Sequence, residues 1–207
     1  MAQWHGDLDA AAAIFEHAYE LHRETELYSS GVYDIALIGL RWDRDGFRTP
    51  VPLREVDRTS GPWARVALCV ATGRIAEADR LIGLELAARQ PAVWTTYGKL
   101  TMLAHLVADI GAEHHARDLI SRLTPIAHCI ATIGHVGLVG PVALAVARLH
   151  HLLGETTAAL AQLAVATELA RRTDGLPSLR RCQALAMTIN GAIDVPPGVA
   201  TVTTART

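Results

Sequence analysis

Hydrophobic positions recur at helical spacing along almost the whole chain. Leu8, Ala11, Phe15, Ala18, Tyr19 and Leu21 fall on one stripe, with Glu16, Glu20 and Arg23 off it. Val32 to Trp42 forms a second apolar segment, closed by Asp45 and Gly46. Residues 47–60 hold Pro50 and Pro52 and show no period, which predicts a loop with at most a short helix. Helices are then predicted over Trp63–Thr72, Arg74–Arg89, Val93–Ile110 and Ala112–Leu123, each ended by a nearby glycine or proline. The uncharged run Ile126–Ala147 is broken by Gly134, Gly137, Gly140 and Pro141 and predicts a turn between buried helices. Val142–Leu153, Glu155–Arg172 and Pro177–Ile189 complete the helices. The tail from Val195, with Pro196-Pro197 and small polar residues, predicts disorder. The expected organisation is one helical-repeat domain over residues 1–190 and a disordered tail over 191–207.

A repeat emerges when the helices are aligned on their turn glycines. In GPVALAVARLHHLLGETTAALAQLAVATELA, Ala147 stands before the turn at Gly154, and Ala159, Leu163 and Ala166 follow it. Ala104, Gly111, Ala116 and Ile120 repeat that phase, and Val66, Gly73, Ala78 and Ile82 repeat it less well. Small residues at these positions let paired helices approach closely while large ones fill the gaps. The expected fold is all-α, a right-handed α-solenoid of degenerate tetratricopeptide-like helix-turn-helix repeats. The first block begins just before its turn at Gly6, without a partner helix. Two expectations follow: the chain starts short of its natural beginning, or an open end caps the array and its apolar face is exposed or serves as a homodimer contact through the open N-terminal repeat.

Composition agrees. Half of the 207 residues are hydrophobic but only 5% are aromatic, so alanine and leucine carry the packing. A net charge of −2 gives no reason to expect direct nucleic-acid or membrane binding. Lys99 is the sole lysine among nineteen basic residues, a bias that points to a GC-rich, actinobacterium-like genome. Cys69, Cys129 and Cys182 form no CxxC pair and predict free, buried thiols. With the polar start MAQWHGDLDA, they place the chain in the cytoplasm by expectation.

The stretches WHGDLDAAAAIFEHAYELHRET, ATGRIAEADRLI and, above all, GPVALAVARLHHLLGETTAALAQLAVATELARRTDGLPSLRRCQALAM resemble a known family. They are similar to the C-terminal tetratricopeptide-like region of actinobacterial LuxR-type or MalT-like ATPase regulators and related adenylate-cyclase-like proteins, over roughly residues 1–190. The resemblance implies a regulatory module that senses a ligand or partner. The family's ATPase and DNA-binding functions do not carry over, because the sequence contains no GxxxxGK[ST] and no basic recognition helix.

Candidate chemistry is sparse. The pairs His114-His115 and His150-His151 are adjacent, and neighbours on a helix point about 100° apart, poorly placed to share a metal. His128 and His135 flank a glycine turn without a carboxylate at ligand spacing, and neither HExxH nor GxGxxG in a strand-to-helix setting occurs. No metal, cofactor or catalytic residue is therefore expected. The repeat phase turns Tyr33, Trp63, Thr101, His105, Arg148 and His151 toward a groove suited to a peptide or small acidic molecule. The leading expectation is a non-enzymatic, regulatory binding module for a protein partner or small ligand. The alternative is a helical scaffold recruited as a biosynthetic enzyme, with His105, Asp109, Arg148 or His151 acting as acid, base and anion holder.

Overall fold

The computed structural model describes residues 1–22, 24, 32–46, 61–88, 95–133 and 137–194. The proline loop at 47–60, the helix start expected at Val93, His135 and the tail from Val195 lie outside the described residues. The described chain is mostly helical: α1 (Leu8–His22), α2 (Val32–Asp45), α3 (Gly61–Ala71), α4 (Ile75–Ala87), α5 (Thr96–Ile110), α6 (Glu113–Leu123), α7 (Val142–Leu152), α8 (Thr156–Arg172) and α9 (Leu176–Asp194). The last helix runs past the boundary expected at residue 190. No described helix is long and apolar enough to cross a membrane.

The glycine stops act through backbone geometry. Gly73, Gly111 and Gly154 adopt φ of 72°, 71° and 72°, a left-handed conformation that glycine enters without a Cβ penalty. Each turn is closed by the same six-to-one bond, donated by the amide of Arg74 to Cys69, Ala112 to Val107 and Glu155 to His150. At the α8–α9 turn Asp174 takes the left-handed place, and Gly175 N–H donates to Ala170. The pairs α3–α4, α5–α6 and α7–α8 accordingly pack as helical hairpins, and α5 packs on α3, α4 and α7. Val66, Ala78, Ile82, Ala104, Ala116, Ala147, Ala159 and Ala166 are all fully buried, at the positions the alignment on turn glycines marks. The small ones let helix backbones close together, so the burial follows from the sequence pattern.

Residues 126–147 do not form the simple turn expected of them. Ile130–Ile133 (β1) and Gly137–Pro141 (β2) form an antiparallel hairpin with a register irregularity between Ala131 and Thr132. Ile130, Thr132, Ile133 and Val139 are β-branched, the residue type that fits a pleated, half-buried strand. The hairpin sits against α2 and α5 and falls between the second helical pair and the third in sequence, while α7 packs directly on α5 and α6. Gly98 of α5 lies so close to β1 that a Cβ there would stand 1.9 Å from the Thr132 carbonyl oxygen.

The N-terminal segment packs against the α8–α9 turn and against α2. Trp4 packs on Gly175, where a Cβ would lie 2.3 Å from its ring, and its indole N–H donates to the Thr173 carbonyl. Gln3, 4% exposed, donates to Asp43 Oδ2 at 2.7 Å and exchanges bonds with the backbone of Leu138. Helix α1 starts at an Asp7 cap, whose Oδ1 accepts from the Ala10 amide at 3.0 Å. It buries only Ala11 and leaves Ile14 and Leu21 exposed. One core joins α2 through α7 with the hairpin, and a second joins α7, α8 and α9.

Candidate functional site

The cleft with the densest charge lies where α9 returns to α2. Helix α2 presents Ile38 and Trp42 at i, i+4 to the core, both nearly fully buried. That orientation sets Asp43 and Asp45 at the inner edge of a cleft of about 790 Å³. Arg44 of α2, Asp109 of α5, Arg148 and His151 of α7, and Arg180, Arg181 and Thr188 of α9 complete its polar lining.

Trp42 organises the charges behind this lining. The Arg181 guanidinium lies 4.2 Å from the Trp42 ring centroid and that of Arg148 lies 5.4 Å away, both within cation–π range. The His105 ring packs 4.5 Å from the same indole. Each arginine has its own carboxylate. Arg181 Nη1 donates to Asp43 Oδ1 at 2.6 Å, and Nη2 donates to the Trp42 carbonyl. Arg148 Nη2 donates to Asp109, and its Nη1 reaches both His105 Nδ1 and the His105 carbonyl at 3.2 Å.

Burial sets the electrostatics. The His105 side chain is fully buried, and burial holds its imidazole well below the usual range, with the Arg148 and Arg181 charges pushing the same way. Nδ1 accepts from Arg148, so the neutral ring carries its proton on Nε2, a buried atom without a hydrogen-bond partner among the described residues. Burial also raises the Asp43 carboxyl, against the opposing pull of Arg181 and Gln3, and lowers Arg181, against that of Asp43. A buried pair of this kind holds mainly because each charge answers the other. Arg180 is exposed, His151 is half-buried, and neither engages a side chain among the described residues.

The residues expected in a groove distribute unevenly. Arg148 and His151 line the cleft, and His105 lies directly behind it in contact with Arg148 and Trp42. Thr101, one turn before His105, is fully buried and donates to the Tyr97 carbonyl at 2.7 Å. Tyr33 is buried elsewhere: its ring lies 4.5 Å from Tyr19 and its hydroxyl donates to Glu16, which ties α2 to α1. The Trp63 side chain lies outside the described residues. Trp42, Asp43, Arg180 and Arg181 escaped the sequence reading. Asp43 and Arg181 stand 138 positions apart, and only the return of α9 joins them.

Cys69 and Cys182 are buried free thiols, and Cys129 is half-buried. Burial pushes the thiols of Cys69 and Cys182 up, away from the nucleophilic thiolate form. Comparison with protein-family models, with curated proteins and with solved structures finds no match for this chain.

Proposed function

We propose that this chain is a non-enzymatic binding module of degenerate tetratricopeptide-like repeats, and that its cleft takes an acidic ligand, either a small carboxylate or an acidic segment of a protein partner. The observation that carries this reading is the division of charge around the cleft. Asp43 and Asp109 are answered by Arg181 and Arg148, whereas Arg180 and His151 face the same space with no partner side chain among the described residues. A carboxylate entering there meets unspent donors beside an aromatic and apolar wall of Trp42, Ala108 and Leu152. The Gly-turned hairpins with fully buried alanines support the repeat reading, and the resemblance to regulator repeat regions supports a regulatory role.

The enzyme reading draws less from the same geometry. His105, its best acid–base candidate, is sealed behind Trp42 and Arg148, and Asp109 is engaged by Arg148. Native mass spectrometry of the purified protein, followed by denaturing release, tests the binding reading. A stoichiometric acidic mass that is lost in the Arg180→Ala/His151→Ala variant is the expected result. The reading fails if a bound mass survives that double substitution. It also fails if a thermal-shift panel of mono- and dicarboxylates and acidic peptides moves the wild type and the variant alike.

A further inference from the structure

A second cluster lies on the opposite hairpins, where α4 faces the start of α6. Asp79 of α4 stands between the two adjacent histidines that open α6. Its Oδ1 lies 3.2 Å from His114 Nε2 and 3.1 Å from His115 Nε2, and the three atoms all fall within 4.8 Å of one another. The separation of neighbouring side chains on a helix does not keep these rings apart. At the first turn they stack with centroids 4.0 Å apart, tilted by 44°, and both Nε2 atoms turn toward α4.

The spacing has the wrong direction for hydrogen bonding and the right one for coordination. Asp79 Oδ1 and His115 Nε2 are buried atoms, and neither has a hydrogen-bond partner among the described residues despite lying 3.1 Å apart. The donor atoms therefore do not aim at each other. Tetrahedral coordination with bonds of about 2.0–2.1 Å places neighbouring ligand atoms about 3.3 Å apart, close to both contacts here. The His115 ring packs over Gly83 of α4, where a Cβ would stand in ordinary van der Waals contact with its Cε1 at 3.6 Å. The His114 side chain is 63% exposed, so a fourth position on that side opens to water.

We infer that Asp79, His114 and His115 form a binding site for a divalent transition-metal ion of the Zn²⁺ class. Two imidazole nitrogens and one carboxylate oxygen are a borderline-soft donor set that favours Zn²⁺ or Co²⁺ over Ca²⁺ or Mg²⁺. The ion joins α4 of one helical hairpin to α6 of the next, so its binding couples to the register between the two hairpins.

The test is titration of the tag-free, chelator-treated chain with Zn²⁺ by calorimetry and with Co²⁺ by visible absorption. One ion per chain is expected, with a dissociation constant on the order of micromolar and an intense four-coordinate Co²⁺ spectrum. At about a hundredfold excess over that constant, the melting temperature should rise by about 5–10 °C. Losing an outer partner of a metal ligand costs about 10- to 100-fold in affinity, so His115→Ala and Asp79→Asn, which remove ligands, should cost at least about 100-fold. His114→Ala, at an exposed position, keeps the test valid if the other variants unfold. A wild type that binds no stoichiometric ion overturns the inference and leaves the triad a His–Asp contact. So does binding undiminished in the His114→Ala variant, which would place the metal on other histidines.

Discussion

His105 offers the sharpest quantitative test of the buried network. Its imidazole is fully buried, accepts from Arg148 through Nδ1, and titrates well below the ordinary value of 6.5 that it regains on unfolding. Below pH 6.5 the unfolded chain therefore binds a proton that the folded chain refuses, so stability falls as pH falls. Its contribution is complete above the unfolded value and is lost progressively below it. One unit below, at pH 5.5, a single site of this kind costs RT ln(1 + 10), about 1.4 kcal/mol, and at pH 7.5 it costs less than about 0.1 kcal/mol. Urea unfolding of the wild type and of His105→Gln at both pH values isolates the effect. The glutamine amide oxygen still accepts from Arg148 but does not titrate in this range. Asp43, Asp109, Arg148 and Arg181, the charged groups around the ring, remain in both proteins, so their own titration largely cancels in the difference. The wild type is expected to lose about 1.4 kcal/mol more than the variant between pH 7.5 and 5.5. Equal losses would refute the claim that this histidine is held neutral.

Two further predictions concern packing and the ion pair. Gly98→Ala drives a methyl into the Thr132 carbonyl and should destabilise by about 2 kcal/mol or more despite the better helix propensity of alanine. The same change at Gly191, with nothing within 4 Å, should be neutral or stabilise by about 0.5–1 kcal/mol, both read as urea midpoints. Arg181→Met leaves Asp43 buried without its cation and should cost about 3–5 kcal/mol, and adding Asp43→Asn should recover a large part, as a double-mutant cycle measures.

Much of the helical fold was legible in the sequence because its signals are local. Gly73, Gly111 and Gly154 stop helices by a conformation that each adopts within its own turn, so the helices either side were located within a few residues. The hairpin at 130–141 was missed because its glycines outweighed Ile130, Thr132, Ile133 and Val139, and apolar runs this short suit a strand or a buried helix equally. The cleft was half-legible. Arg148 and His151 follow from the phase of α7, but Trp42 and Arg181 meet only through the return of α9, which no periodicity encodes. The proposed Asp79–His114–His115 site was not legible because its carboxylate comes from α4, and no spacing within α6 encodes a ligand supplied by another helix.

The same long-range contacts explain how the cleft is built. Asp43 is held from two sides, by Arg181 of α9 and by Gln3 of the N-terminal segment, while Trp4 of that segment anchors on the α8–α9 turn. The first few residues and the last helix therefore close the cleft together, although the intervening helices stack without them. The carboxylates that neutralise Arg148 and Arg181 spend those guanidiniums on structure, so the proposed recognition of an acidic ligand would fall to Arg180 and His151 at the rim. Stability and binding should consequently separate by residue. Substitutions at Asp43 or Arg181 are expected to loosen α9 and abolish the cleft, and those at Arg180 or His151 to leave the fold intact and remove only what the cleft holds.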